Sequence, residues 1–354
     1  MNQTSTLTAL TGRSRPLLRG LWSAEGLDDV EIAMRRLVAG GRVDRLGIVL
    51  RELLESGGKR LRARLALATL EALGEDRQKG VAWAAACELL HTATLLHDDV
   101  QDGDTVRRDR PTAWRSHGVA QAINAGDLAL MLPYSAIDHI PVEPAVKWQL
   151  TRLLARYAEA VARGQADEME LMPHRHLAWD DYAAAACGKT AALFALPVAG
   201  AALIAGRTPE EAEDLGDAML QLGLLFQIQD DVLDLFGDKR RGEPGSDVVA
   251  GKATALVVEH LRRVPHDREW LVELLEAPRE TKTPEVVAEV KRAFRERGTL
   301  DAVWDRLNAC ETHIAESLAL SRWPRLHAVA VELAAQALAP IAHTAPIRVL
   351  GGVV

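Results

Sequence analysis

The sequence predicts an all-α protein, a single-domain helical bundle, and three observations carry that reading. Ala, Leu, Glu and Arg dominate, while the alternating β-branched runs that mark strands are nearly absent. Apolar residues recur at helical spacing from Asp28 onward, in segments of roughly 12 to 28 residues. Gly, Pro and Asp divide these segments in short breaks, none long or polar enough to serve as an interdomain linker.

Taken in order, helices are expected near 28–39, 43–56, 58–73, 78–102, 118–139, 144–171, 178–205 and 209–237. Further helices are expected near 251–263, 267–275, 284–297, 301–319 and 324–340. Residues 26–345 are read as one domain, preceded by a polar, flexible arm over 1–25. The arm lacks the charged-then-apolar pattern of a secretory signal. No run reaches the ~18 uncharged apolar residues that span a bilayer, so stable membrane insertion is not expected. The most apolar stretch, Ala191 to Ile204, is too short and holds a proline and a glycine; it reads as a buried helix.

Of the 354 residues, 48% are hydrophobic, enough for a large core. A net charge of −8 with no strongly basic half argues against a nucleic-acid partner. Cys87, Cys187 and Cys310 lie far apart without CxxC spacing, which speaks against a zinc site or a disulfide framework and fits a reducing cytoplasm.

Two carboxylate clusters stand out. LLHDDVQDGD carries Asp98, Asp99, Asp102 and Asp104; FQIQDDVLDLFGD carries Asp230, Asp231, Asp234 and Asp238. Each contains DDxxD at the end of an apolar helix. Spacing of i and i+4 puts Asp98 and Asp102 on one face, and Asp230 and Asp234 likewise. Like charges so placed weaken a helix by a few tenths of a kcal/mol per pair, so the arrangement calls for a cation. Magnesium suits it, as a hard ion that takes carboxylate oxygens, keeps waters and bridges to phosphates. A single DDxxD reads more readily as a solvated acidic helix end or a calcium loop. Two copies over a hundred residues apart, neither with EF-hand spacing, favour metal.

Four basic clusters accompany the acids: GGKRLRAR with Lys59 and Arg62, VRRDRPT with Arg107 and Arg108, CGKT with Lys189 and Thr190, and GKAT with Lys252 and Thr254. Each alone reads as a solvated helix end, and GGKR lacks P-loop spacing. Jointly they offer cations for two phosphate groups, one held through metal and one directly by Lys and Arg. His97 is read as making a structural hydrogen bond, and the HRH tract with His174 and His176 as solvent-exposed.

GGKRLR, HDDVQDGDTVRRDRPT, GKT, FQIQDDVLD and GKAT occur in the order found in trans-isoprenyl (polyprenyl) diphosphate synthases, and the chain resembles that family over roughly residues 30–340. The resemblance implies the isoprenoid synthase type of helical bundle, with a central cavity. It also implies a magnesium-dependent prenyltransferase that holds two or three ions. Its substrates would be isopentenyl diphosphate and an allylic primer: dimethylallyl, geranyl or farnesyl diphosphate. Asp98, Asp99, Asp102, Asp230, Asp231 and Asp234 would bind metal. Lys59, Arg62, His91 and Arg108 would hold isopentenyl diphosphate. Arg107, Lys189, Thr190, Gln227 and Lys252 would meet the allylic diphosphate, and the protein would be a homodimer.

Two positions depart from the family pattern: Glu243 where many relatives are basic, with Lys239, Arg240 or Arg241 as substitutes, and Asp109 where glycine is usual. The chemistry implied is ionisation of the allylic diphosphate, attack by the double bond of isopentenyl diphosphate, and proton loss, the released diphosphate acting as base. It consists mostly of positioning and charge stabilisation in a dry cavity.

Product length is expected to follow the helix below Asp98, where one turn rises ~5.4 Å. Ala93 and Thr94 lie one turn down and are small; Leu89 and Leu90 lie two turns down. A floor at the leucines gives twenty carbons, geranylgeranyl diphosphate; leucines turned aside give a longer chain past Ala86 and Cys87. Met131 or Tyr134 on a facing helix are further candidates for closure. The alternatives are a class I terpene cyclase and a non-catalytic subunit of a heteromeric synthase. The second DDxxD and GGKRLR stand against the former, and two intact aspartate clusters against the latter.

Overall fold

The computed structural model describes residues 25–40, 43–171, 177–237 and 244–346. The arm up to residue 24 and the segments with His174, His176, Asp238, Lys239, Arg240, Arg241 and Glu243 lie outside the described residues. Nearly everything described is helical. The chain runs through α1 (Leu27–Ala39), α2 (Arg45–Glu55), α3 (Leu61–Ala72) and α4 (Val81–Gln101). A two-residue hairpin follows, β1 (Val106–Arg107) with β2 (Arg110–Pro111), then α5 (Ala113–His117), α6 (Val119–Ile137) and α7 (Pro144–Glu170). Next come α8 (Trp179–Ala186), α9 (Ala192–Ile204), α10 (Pro209–Ala218) and α11 (Leu220–Phe236). The last are α12 (Ser246–Ala250), α13 (Ala255–Arg263), α14 (Arg268–Glu276), α15 (Pro284–Glu296), α16 (Thr299–Ala315), α17 (Leu318–Ser321) and α18 (Pro324–Leu338).

Local chemistry sets several boundaries more tightly than periodicity does. Asp44 caps α2 by accepting from the Gly47 amide at 2.8 Å. Thr208 and Glu211 form a reciprocal capping box on α10. Thr254 caps α13, accepting from the Val257 amide at 3.3 Å, so Lys252 belongs to a turn rather than to the helix expected from 251. Each such cap contributes about 1 kcal/mol.

Three features differ from the periodicity. The helix expected over 178–205 contains a π turn at Cys187–Ala191 between α8 and α9. One extra residue per turn re-aims the side chains that follow, and such turns recur at functional sites. The helix expected over 209–237 breaks at Met219, whose amide turns to the Gly216 and Asp217 carbonyls. The hairpin had no strand signal because each strand has two residues. Its loop places Arg108 (φ 53) and Asp109 (φ 60) both in the left-handed region. That is the two-residue turn in which Gly, Asn and Asp are favoured, and it accounts for Asp109 serving at a position where glycine is usual.

The fold divides into two compact units. The first comprises Met1–Glu159, Ala192–Met219 and Leu318–Val329; the second comprises Ala160–Ala191, Leu220–Ser317 and Ala330–Val354. In the first unit α4 packs along α6 and against α1, α3 and α9. Both helices are rich in small buried residues, Ala84, Ala85, Ala86 and Ala93 on α4 and Ala122, Ala125, Ala129 and Ala136 on α6. Gly126 and Gly200 are points of close approach in this unit. A Cβ on Gly126 would lie 2.2 Å from His97 Nε2, and one on Gly200 would lie 2.0 Å from the Trp83 ring. The Trp83 indole also donates to the Pro197 carbonyl at 3.2 Å, which anchors α9 to α4. α9 is buried throughout, as its composition predicts.

In the second unit α11 packs on α16 and on the π turn, with α8, α12 and α13 around it. Gly164 of α7 sits against the π turn backbone, where a Cβ would lie 2.2 Å from the Lys189 amide nitrogen and 2.5 Å from the Gly188 carbonyl carbon. Glycine at both Gly164 and Gly188 lets two backbones touch, and this contact fixes the position of Lys189.

Candidate active site

Each unit carries one aspartate motif and its own set of cations. In the first unit, Asp98 and Asp102 are half-buried at the C-terminal end of α4, one turn apart. Asp99, between them in sequence, is only 2% exposed and turned into the protein. Arg107 Nε donates to Asp99 Oδ1 at 2.6 Å, and Arg107 Nη2 lies 3.9 Å from Asp104. Burial pushes the Asp99 carboxyl up to about 6, against the opposing pull of Arg107. The two members of DDxxD that share a helix face remain accessible; the middle one holds the hairpin arginine.

The basic groups of this unit gather on the α2–α3 connection. Gly57 (φ 77) and Gly58 (φ 145) turn the chain, and Arg60 (φ 49) precedes α3. Arg108 donates to the Gly57 carbonyl and lies 3.4 Å from Ser56 Oγ, with its guanidinium so close over Gly58 that a Cβ there would meet it at 3.0 Å. Arg60 Nε donates to Glu31 at 2.5 Å. Lys59 is exposed. Arg62 stacks 5.3 Å from the Phe194 ring centroid, its Nε has no hydrogen-bond partner, and burial lowers its pKa. His91 is held well below its ordinary value by burial and then by Arg62, Arg108, Arg107 and Arg60, so its imidazole is neutral.

Sequence reasoning missed the group that organises this cluster. Glu88, buried on α4, accepts from the backbone amides of Arg62 and Ala63 at 3.0 Å each and supplies the counter-charge for Arg62. A carboxylate at a helix N-terminus is favoured by both the dipole and the open amides. A lone glutamate inside the apolar run AAACELLHTATLL was the available signal. Below Asp98, Thr94 and His91 are half-buried, whereas Ala93, Leu89 and Leu90 are fully packed. His97 lies against α6, within 3.4 Å of the Ile123 carbonyl and of Asp127.

In the second unit, Asp230 is exposed and Asp234 half-buried on α11, while Asp231 is 4% exposed. Asp231 Oδ2 accepts from the Tyr182 hydroxyl at 2.8 Å and the Ala255 amide at 2.7 Å; Oδ1 accepts from Gln227 Nε2 at 3.0 Å. Burial nevertheless raises the Asp231 carboxyl to about 7. Asp234 accepts from Ser246 Oγ at 2.5 Å and from the Asp247 amide at 3.1 Å. Thr190 donates to Gln227 Oε1 at 2.7 Å. Lys189 pairs with Glu168, and Lys252 lies 3.8 Å from Asp247. Asp247 is a fourth carboxylate beside this motif; burial and then Asp234 raise its pKa. Glu168, Tyr182 and Asp247 all escaped the sequence reading, because their roles depend on α7, α8 and α12 packing around α11.

Among the described residues no three His, Cys, Asp or Glu side chains converge on a ready metal cage. The accessible donors, Asp98, Asp102, Asp230 and Asp234, are hard carboxylate oxygens in pairs. Such pairs fit a magnesium ion that keeps most of its shell as water and substrate phosphate.

An all-helical frame with two DDxxD helices, each accompanied by its own cations, defines an enzyme class that handles allylic diphosphates, the isoprenoid synthase fold. The chain belongs to the polyprenyl synthetase family, whose sequence profile matches residues 43–294, and it is a prenyltransferase. It is 36% identical over 235 residues to the short chain isoprenyl diphosphate synthase of Methanocaldococcus jannaschii, covering 66% of this chain and 71% of that one. It is 39% identical over 221 residues to the farnesyl diphosphate synthase of Geobacillus stearothermophilus, covering 57% and 70%. Among solved structures, the polyprenyl synthetase of Streptomyces coelicolor superposes with a TM-score of 0.78 at 27% identity, covering 94% of this chain and 99% of that one. The polyprenyl synthase of Caulobacter crescentus, solved with calcium and isoprenyl diphosphate, gives 0.75 at 26% identity, covering 94% and 97%.

Proposed function

We propose that the protein joins isopentenyl diphosphate to an allylic diphosphate, with magnesium, to give linear all-trans geranylgeranyl diphosphate. The observation that carries this is the pair of accessible, same-face carboxylates in each motif, with Lys189 and Lys252 beside the second and Arg107 beside the first. Magnesium bound at these carboxylates would supply charge to stabilise a departing diphosphate. Lys189 and Lys252 add positive charge for the same leaving group, and Thr190 with Gln227 offers a hydroxyl and an amide near it. Lys59, Arg62 and Arg108 provide direct cations for isopentenyl diphosphate, and the neutral His91 imidazole can both donate and accept a hydrogen bond there. Names of relatives support a short product: farnesyl and geranylgeranyl diphosphate synthases are among them.

The deciding experiment incubates the protein with magnesium, labelled isopentenyl diphosphate and each of dimethylallyl, geranyl and farnesyl diphosphate. A linear twenty-carbon diphosphate is expected. A cyclic hydrocarbon would move the reading to a terpene cyclase, and a longer chain would place the floor below Leu89 and Leu90. Thr94 keeps accessible surface on the Asp98 face, so Thr94→Phe is expected to shorten the product to fifteen carbons. An unchanged product would mean that the chain grows elsewhere.

Three free cysteines support a reducing cytoplasmic setting. A second copy of the chain is the favoured partner, because α6 exposes three large apolar side chains, Val119 (47%), Ile123 (41%) and Met131 (58%). Met131→Glu is expected to shift the species seen in sedimentation from dimer to monomer; an unchanged sedimentation coefficient would place the interface elsewhere.

A further inference from the structure

Tyr182 has no part in the sequence motifs, yet its hydroxyl reaches the centre of the second one. It lies on α8, buried, with its ring 5.2 Å from that of Trp179. Its hydroxyl donates to Asp231 Oδ2, which also receives the Ala255 amide at the start of α13. The other carboxylate oxygen receives Gln227 Nε2, and this decides which way the Gln227 amide points. With its nitrogen on the carboxylate, Gln227 must present its oxygen to Thr190, whose hydroxyl donates to it. The four side chains form one chain of donors and acceptors, Tyr182 to Asp231, Gln227 to Asp231 and Thr190 to Gln227.

Resting on the function proposed above, we propose that Tyr182 is a positioning residue for the allylic diphosphate contacts of the second unit, acting through Asp231. The Ala255 amide and Gln227 each hold one oxygen of this buried carboxylate, and the Tyr182 hydroxyl adds a second donor on Oδ2 that tightens its rotation about the Cβ–Cγ bond. Through it the phenol sets the direction of the Gln227 amide, the hydroxyl of Thr190 and the first turn of α13, which follows Lys252. Buried polar networks act as units, so loss of one member is felt at the next. Lys59, Arg62, His91 and Arg108 belong to the first unit, whereas this chain of bonds lies within the second.

The test compares wild type with Tyr182→Phe, which keeps the ring and its contact with Trp179, and with Tyr182→Leu, which removes both. Folding is checked by circular dichroism and melting. In Tyr182→Phe, kcat/KM for geranyl or farnesyl diphosphate is expected to fall roughly tenfold to a hundredfold, the loss of one hydrogen bond to a charged group. KM for isopentenyl diphosphate should stay within about twofold, since that substrate is assigned to residues outside the chain. Adding Tyr182→Phe to Thr190→Val should cost less than the product of the two single effects, because both act on one chain. Wild-type kinetics in Tyr182→Phe beside a damaged Tyr182→Leu would reduce the residue to packing and overturn the proposal. So would a lower kcat with both Michaelis constants unchanged, which signals only a smaller active fraction. A wild type that consumes no isopentenyl diphosphate would sink the underlying reading, and this inference with it.

Discussion

Asp98→Ala is expected to abolish turnover, by at least about a thousandfold, while leaving the metal-free protein as stable as wild type or slightly more so. Asp98 and Asp102 sit one turn apart at the C-terminal end of α4, where the helix dipole disfavours negative charge and the two carboxylates repel. Removing one relieves both effects, by a few tenths of a kcal/mol. The arrangement costs stability without a cation, and its use lies in holding one. Groups that stabilise leaving-group charge typically contribute several kcal/mol to the transition state, hence the size of the expected loss. Two measurements check it: prenyl transfer rate, and melting temperature with and without magnesium plus inorganic pyrophosphate. Wild type should melt higher with the additions and Asp98→Ala should not. A rate within tenfold of wild type would remove Asp98 from the metal assignment.

Asp99→Ala should differ in kind. Asp99 is buried against Arg107, so its loss strands a half-buried guanidinium and should lower the melting temperature as well as the rate. The two neighbouring aspartates of one motif thus separate, one governing chemistry alone and one also governing the hairpin.

Gly164→Ala is expected to damage both stability and rate through a single added methyl. The new Cβ would lie 2.2 Å from the Lys189 nitrogen and 2.5 Å from the Gly188 carbonyl carbon, both backbone atoms that no rotamer change can clear. α7 and the π turn must move apart, at a cost of about 1–3 kcal/mol or more. The shift carries Lys189 and Thr190 with it, and a displacement near 1 Å at a positioning residue costs roughly a hundredfold in rate. Gly188→Ala should be milder, since its Cβ would meet Gly164 Cα at 2.8 Å and the Ala160 carbonyl at 3.0 Å. Ala162→Ser, on an exposed position of the same helix, should change neither rate nor melting. Gly164→Ala turning over at the wild-type rate would mean that the α7 contact does not set Lys189.

How much of this was legible beforehand depends on the range of the interaction involved. Helices were readable because their periodicity is written within each segment, and their ends fell within a few residues of 28–39, 144–171 and 284–297. The π turn at Cys187–Ala191 was not readable, because Gly188 yields there to Gly164, a residue on another helix. The hairpin escaped because two residues per strand leave no alternation to detect, although Arg108-Asp109 marks its turn. Within the motifs, i,i+4 spacing placed Asp98 with Asp102 and Asp230 with Asp234 on shared faces, as found. Spacing could not show that Asp99 and Asp231 turn inward, since that is decided by Arg107 in one unit and by Tyr182, Gln227 and Ala255 in the other.

The sequence by itself determined the helical class and the two carboxylate faces, because each rests on residues a turn or two apart whose geometry is fixed by the α-helix, and it determined the family through the order of its motifs. Only the tertiary structure decided which carboxylates remain accessible, which cations already have partners, and that Glu88, Glu168, Tyr182 and Asp247 belong to the site. Those outcomes depend on burial and on hydrogen bonds between elements distant in sequence. Desolvation makes an unpaired buried charge expensive, so the fold brings partners to it from wherever the packing allows.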